Sequence, residues 1–315
     1  MKIVFLGTPE PAAKILEELV AAGHEIACVV TQPDRPQGRG QKLSFSPVKE
    51  VALRLDLSVE QPEFIKNNKV FEVLLQSLKP DVGVVVAYGK ILPGEILNIP
   101  KFGFVNVHAS LLPKWRGAAP IQWALLKGEK ETGVTIFKLT EILDAGPIIA
   151  QERLKIEDED DAETLTKKLF ELGGKLLLKC LPEIEKNKVR YIPQNESEVT
   201  FAPSITKESA EIDWKRTAEE IHNRIRALVI WPGAHTFYRG KRLKILKSKI
   251  FAPDLLGRLK SPGKIVQIVK NEGFVVAAGR GYLLITRVQP EAGKQMRAYD
   301  FVLGHSLKTD EVFPS

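Results

Sequence analysis

The stretch DVGVVVA, at 81–87, constrains the fold of this chain more than any other. Its valines run almost without interruption, so no alternation of apolar and polar residues can give it a wet face. β-branched side chains suit a pleated strand, and a continuous apolar run suits one covered on both sides, as in the middle of a parallel sheet. Neighbouring segments extend that reading. Apolar runs at 3–6, 25–31 and 104–108 read as further strands, with later ones at 134–139 and 148–156. Segments 12–22, 48–54, 71–78, one near 121–126 and a long one at 162–180 carry helical spacing. Gly7-Thr8-Pro9 is expected to open a helix, with Thr8 as cap and Pro9 in the first helical position. Strands alternating with helices predict an α/β domain, a parallel sheet with helices on both faces.

At 315 residues the chain exceeds one ordinary domain. Its character changes near 188. The stretch 191–204 has two prolines, many polar residues and no period, and reads as a linker. Beyond it come one amphipathic helix, 218–228, and five short strand-like runs broken by glycine, at 234–238, 243–251, 263–269, 274–278 and 282–288. These predict a small antiparallel barrel. The expected division is a domain at 1–189, a linker at 190–206 and a second domain at 207–315. Charge follows the same division. From Lys207 onward there are 20 basic and 11 acidic residues, against 26 and 28 before it, so the whole basic excess lies in the last third. Such a surface is either simply solvated or made to meet a polyanion.

Other classes are excluded by pattern. The longest apolar run, around 82–88, is far too short to span a bilayer. MKIVFLGTPEP has no small-residue cleavage site, so no signal peptide is expected. Cys28 and Cys180 sit in apolar surroundings and suggest no bridge, which fits a reducing cytoplasm.

FVNVHASLLPKWRGAAP, at 104–120, carries the candidate chemistry. Strand alternation points Asn106 and His108 the same way. They lie at the carboxyl end of a strand, where open α/β sheets place ligands. A buried Asn and His satisfying a turn would look the same in sequence. LDAGP, at 143–147, adds the carboxylate of Asp144, although Asp in such a turn is also ordinary turn chemistry. Together the three suit acyl transfer. An amide can donate to a developing oxyanion, and an imidazole paired with a carboxylate can donate or move a proton. Ser110 is close by but lacks the Gly-x-Ser-x-Gly elbow. The five histidines are scattered, with no His-Glu-x-x-His and no Cys pair, so no metal is expected. Gly7 to Pro11 lacks the further glycines of a phosphate cradle, and its two prolines remove amide donors.

NVHASLLPKWRGAAPIQ, at 106–122, resembles the signature of the folate-dependent formyltransferases, and LDAG at 143–146 matches their second motif. TQPDRPQGRGQKLSFSPVK, at 31–49, is similar to a long loop of the members that act on tRNA. VVVAYGKILP at 84–93 and Asp213-Trp214 also fit, so the similarity covers essentially the whole chain. The resemblance implies a Rossmann-like N-terminal domain with a parallel sheet, followed by an OB-like β-barrel. It implies formyl transfer from 10-formyltetrahydrofolate to the amino group of methionine on initiator tRNA, without a metal. Asn106, His108 and Asp144 would be catalytic, and Ser110, Leu111, Leu112 and Pro113 would lie on the folate side. In the implied mechanism the neutral amine attacks the formyl carbon. Asn106 and protonated His108 stabilise the oxyanion, while Asp144 pairs with His108 and manages the amine's proton.

The loop at 32–46 is expected to be structureless in the free protein and to order as a lid on the tRNA acceptor end. Arg35, Arg39 and Lys42 are its cations, Arg39 foremost. Arg239, Lys241, Arg242 and Lys244, with Lys247 and Lys249, fall in one strand-like run as candidate phosphate contacts; regular alternation would divide them between two faces. Trp231-Pro232-Gly233 reads as a structural turn. A monomer is expected. One departure stands out: the residue two before the catalytic Asp is commonly Gly in the family and here is Ile142. Competing readings are an amino-sugar nucleotide as acceptor, water as acceptor, or an RNA-binding protein without catalysis. Formyl transfer to glycinamide ribonucleotide fits less well, since that substrate needs a phosphate cradle.

Overall fold

The structure, a computed structural model, describes residues 1–37, 42–251 and 261–314. In chain order the first elements are β1 (Lys2–Gly7), α1 (Glu10–Ala21), β2 (Glu25–Val30), β3 (Arg35–Gln37), β4 (Lys42–Ser44), α2 (Pro47–Arg54), β5 (Val59–Glu60), α3 (Lys69–Leu78) and β6 (Val82–Val86). Then follow α4 (Gly94–Leu97), β7 (Phe104–His108), β8 (Arg116–Gly117), α5 (Pro120–Leu126), β9 (Glu131–Lys138), β10 (Ile148–Lys155), α6 (Ala162–Glu185) and β11 (Phe201–Ala202). The chain ends with α7 (Ala218–Ala227), β12 (His235–Tyr238), β13 (Lys241–Phe251), β14 (Ile265–Val269), β15 (Gly273–Ala277), β16 (Tyr282–Pro290), β17 (Met296–Arg297) and α8 (Ala298–His305). Two compact units result. One comprises 1–120, 131–155 and 166–203; the other comprises 121–130, 156–165 and 204–315. The segment expected as a linker thus falls in part within the first unit.

The first unit is built on a seven-stranded sheet of order β10-β9-β7-β6-β1-β2-β5. The valine run forms β6 in its middle, parallel to β1 and β7. Successive residues of β6 serve opposite cores. Val82, Val84 and Val86 join Ile3, Phe5, Ile15 and Leu177 on one face, and Val85 joins Val4, Leu6, Phe71 and Phe104 on the other. Water is thereby removed from both faces, which is why the sequence shows no alternation there.

Several sequence expectations need correction. β9 runs antiparallel to β7, and β10 antiparallel to β9. The connection at 139–147 is too short for a crossover, so it can only turn the chain back. Thr8 does not cap α1. The cap position is Pro9, and the Thr8 hydroxyl donates to the Tyr88 carbonyl at 3.4 Å. The described parts of the loop at 32–46 carry structure: β3 and β4 pair antiparallel, Arg35 opposite Ser44 and Gln37 opposite Lys42. Its base is tied as well. The Thr31 and Ser46 hydroxyls share a hydrogen bond of 2.7 Å, and Lys49 pairs with Asp34.

The second unit holds an antiparallel sheet of order β12-β13-β16-β15-β14, with β17 on β16. Antiparallel strands are as expected; closure into a barrel is not seen among the described residues. The core gathers Trp214, Ile245, Phe274, Phe301 and Phe313. Trp214 stacks on Phe313 with ring centroids 5.6 Å apart and donates through Nε1 to the Thr236 hydroxyl. A capping box, Thr217 with Glu220, starts α7. The packed helix α8, absent from the sequence reading, buries Ala298, Phe301 and Val302. No helix among the described residues is long and apolar enough to cross a membrane.

Candidate active site

The site forms where β7 ends. Asn106 and His108 sit on this strand with the buried Val107 between them. Asp144 comes from the β9–β10 connection, which the antiparallel pairing brings back beside β7. His108 and Asp144 are each only 6 % exposed. His108 Nδ1 lies 3.9 Å from Asp144 Oδ2, within ion-pair distance but longer than a hydrogen bond. His108 Nε2 lies 3.0 Å from the Trp115 carbonyl. A carbonyl only accepts, so Nε2 carries a hydrogen, and Nδ1 is left facing the carboxylate. Only the doubly protonated ring can donate to both partners at once. Phe137 meets the imidazole edge-on, with centroids 6.2 Å apart.

The Asp144 carboxylate is held from one side. Gly117 N–H donates to its Oδ2 at 2.8 Å, and its Oδ1 has no hydrogen-bond partner among the described residues. Asn106 is partly exposed, and its amide also has no side-chain partner among the described residues. An unpaired donor, an unpaired carboxylate oxygen and an imidazole therefore meet at the open end of the sheet. This arrangement can stabilise charge on an acyl oxygen and receive a proton from an attacking amine.

The surrounding loop fixes these groups through the backbone. The Ser110 hydroxyl donates to the Lys114 carbonyl at 2.6 Å, and Ser110 and Leu112 are buried. The Thr135 hydroxyl donates to the Ser110 carbonyl and accepts from Leu112 N–H, while Gln151 donates to the Leu112 carbonyl. Leu111 and Pro113 remain partly exposed. β8 pairs with β11, and Trp115 N–H donates to the Thr200 hydroxyl at 2.9 Å. Gly117 is required where it stands: it has φ +126°, and a Cβ there would meet the Ala202 carbonyl oxygen at 2.7 Å. Ile142 causes no disturbance, being 70 % exposed while its carbonyl closes the turn with Ala145 N–H.

Sequence reasoning missed Arg116, Thr135, Gln151 and Gln194 as residues of this neighbourhood. The signature drew attention to the first, but nothing local marks the others, because they act across gaps of tens of residues. The cysteines offer no competing nucleophile. Cys28 and Cys180 are buried, and burial pushes their thiols up to about 12 and about 11. No group of His, Cys, Asp and Glu positioned for a metal occurs among the described residues.

The candidate tRNA contacts lie elsewhere. Arg35 is exposed on β3, and its charge, after burial, helps push the nearby Lys90 ammonium below its ordinary range. Lys42 lies on β4, and Arg39 lies outside the described residues. In the second unit Lys241, Arg242, Lys247 and Lys249 are exposed and Lys244 partly so, whereas Leu243, Ile245 and Ser248 are buried. The register against β16 shifts between Ile245 and Ser248. That bulge changes the phase of the strand, so Lys247 and Lys249 are exposed where regular alternation would send them to the core side. Arg239 sits at the β12–β13 turn, over the Tyr238 ring and paired with Glu311 at 3.4 Å.

Fold and site together define a formyl transferase. Residues 1–181 match the formyl transferase family and 204–306 its C-terminal domain. Methionyl-tRNA formyltransferase of Caldanaerobacter subterraneus subsp. tengcongensis is 46 % identical over 307 residues, covering 98 % of both chains. That of Caldicellulosiruptor saccharolyticus is 47 % identical over 313 residues, covering 99 % of both. An N-formyltransferase from Helicobacter canadensis, solved with folinic acid and dTDP-3-aminofucose, shares the fold with a TM-score of 0.64 at 20 % identity, covering 94 % of this chain and 100 % of its own. This chain belongs to the formyl transferase family, in the group of the methionyl-tRNA formyltransferases.

Proposed function

We infer that this chain transfers a formyl group from 10-formyltetrahydrofolate to the α-amino group of methionine on initiator tRNA. The observation that carries the reading is the unpaired Asn106 amide beside the His108–Asp144 pair. It stands in a chain 46 % identical, nearly end to end, to a methionyl-tRNA formyltransferase. In this reading the amine lone pair attacks the formyl carbon, and the carbonyl π pair moves onto oxygen. Asn106 donates to that oxygen, and the positive charge of protonated His108 stabilises it. Asp144 closes the 3.9 Å gap to His108 and takes up the amine's proton through its free Oδ1. Collapse of the intermediate breaks the bond to folate N10, which leaves with a proton.

Leu111 and Pro113 are the members of 110–113 whose surfaces can touch the folate donor. Ser110 and Leu112 shape that wall from behind. Arg35, Arg39 and Lys42 serve the acceptor end of the tRNA, and Arg239, Lys241, Arg242 and Lys244 serve its phosphates. The second domain is the tRNA-binding one, and the protein works as a cytoplasmic monomer. A labelled formyl donor offered with methionyl-tRNA, with an amino-sugar nucleotide and with water tests the reading. Label is expected on methionyl-tRNA. Equal transfer to the amino sugar, or release as formate without acceptor, would overturn it.

A further inference from the structure

Asp144 has a backbone that needs holding. It adopts the left-handed region at φ +50°, uncommon for a residue with a side chain and sustained only by its surroundings. Within its own turn the bonds are to other residues: Ala145 N–H and the Thr140 hydroxyl donate to the Ile142 carbonyl at 3.3 and 3.2 Å, and Lys138 N–H to the Pro147 carbonyl at 3.0 Å. Support for the Asp144 backbone itself arrives from 50 residues away. Gln194 Nε2 donates to the Asp144 carbonyl at 2.7 Å and to the Gly146 carbonyl at 2.8 Å, straddling the turn.

The other end of the same carboxamide is equally occupied. Gln194 Oε1 accepts from Arg116 Nε at 3.1 Å and from Nη2 at 2.8 Å. Arg116 is buried, and its remaining donors reach the Glu196 carboxylate at 2.8 and 3.3 Å. Two carbonyls on one side and a guanidinium on the other leave the amide one possible orientation. The neighbour of Arg116, Gly117, holds the Asp144 carboxylate directly. One dipeptide thus fixes Asp144 twice, by its side chain through Gly117 and by its backbone through Gln194.

The geometry points to Gln194 as a positioning residue for formyl transfer: it sets the backbone of Asp144 and so aims the carboxylate that faces His108. This rests on the reading that Asp144 acts in the transfer step. The competing explanation is that Gln194 merely ties its own segment to Arg116.

Gln194→Glu separates the two. The change keeps the size and keeps an acceptor for Arg116, but sets an oxygen where two N–H donors faced carbonyls. Steady-state kinetics of Gln194→Glu and Gln194→Ala are expected to show kcat lowered about 10- to 100-fold, as for a reacting group held out of place. KM for both substrates stays within about twofold, and the unfolding midpoint of Gln194→Glu stays near wild type. In an Asp144→Asn background, adding Gln194→Glu lowers kcat by no more than about twofold further, because the group it positions is gone. Wild-type kcat in Gln194→Glu overturns the proposal. So does a loss confined to KM for tRNA, or an equal fold-loss in the Asp144→Asn background. If Asp144→Asn itself turns over at the wild-type rate, the role of Asp144 fails and this proposal falls with it. A crippled Asp144→Asn beside an intact Gln194→Glu overturns this proposal alone.

Discussion

His108 is buried and His222 partly buried, each with a polar partner and one in each compact unit, and their neighbourhoods differ in kind. His222, on α7, shares a hydrogen bond of 2.9 Å with the Ser248 hydroxyl. Burial, and then the charge of Arg226, push its imidazole down to about 4, against the pull of Asp158 and Glu159. Such a histidine is neutral through the physiological range and serves packing. His108 instead faces a carboxylate on one nitrogen and a carbonyl on the other, with an unpaired amide two residues away. A hydrogen-bond partner is common to both. What separates them is the kind of group left unpaired nearby: an amide donor and a carboxylate oxygen at the open end of the sheet for His108, a buried guanidinium nitrogen of Arg226 for His222.

The largest expected effect breaks this comparison at its centre. Asn106→Ala and His108→Ala should each lower kcat about 10²–10³-fold, roughly 3–4 kcal/mol, whereas His222→Gln should stay within about twofold. Next comes the turn that carries Asp144. A Cβ on Gly146 would meet the Lys138 carbonyl oxygen at 1.7 Å, so Gly146→Ala should lose about 3 kcal/mol of stability by urea unfolding. A somewhat smaller effect concerns tRNA. Contact with roughly four phosphates gives a salt slope of about −3 in log affinity, and Lys241→Ala, Arg242→Ala and Lys244→Ala combined should flatten most of it with kcat preserved. A flat slope in the wild type would remove nucleic acid from the account.

The fourth effect reads the neutral state of His222. Its folded value, about 4, lies below the ordinary 6.5. The unfolded chain therefore binds this proton first. The contribution is complete above pH about 6.5 and is lost as pH falls from there toward 4, amounting to about 2 kcal/mol between pH 7 and 5. Urea unfolding of wild type and His222→Gln at both pH values isolates it, the variant losing less. The smallest effect belongs to Ile142, whose side chain reaches into solvent. Ile142→Gly should change kcat less than about twofold.

Much of this was legible in the residues themselves. The valine run identified β6 because a strand buried on both faces must be apolar throughout. Asn106 and His108 could be placed on one face because strand alternation is strict. Asp144 was harder, since nothing in LDAGP distinguishes a catalytic carboxylate from a turn residue until β9 and β10 fold back antiparallel. Gln194 was out of reach: a side chain that bonds backbone carbonyls 50 and 48 residues away leaves no local pattern. The bulge in β13 was hidden for a related reason. Its register is set by pairing with β16, so charge spacing along β13 alone gives the wrong faces for Lys247 and Lys249.

One measurement reaches the central claim directly: single-turnover formyl transfer to methionyl-tRNA by Asn106→Asp, with both substrates saturating. This change keeps the shape of the side chain and replaces its donor with an acceptor. The rate should fall at least about 10²-fold while both substrates still bind. A rate within a few-fold of wild type would contradict the account, because the reacting oxygen would then have no need of the Asn106 amide.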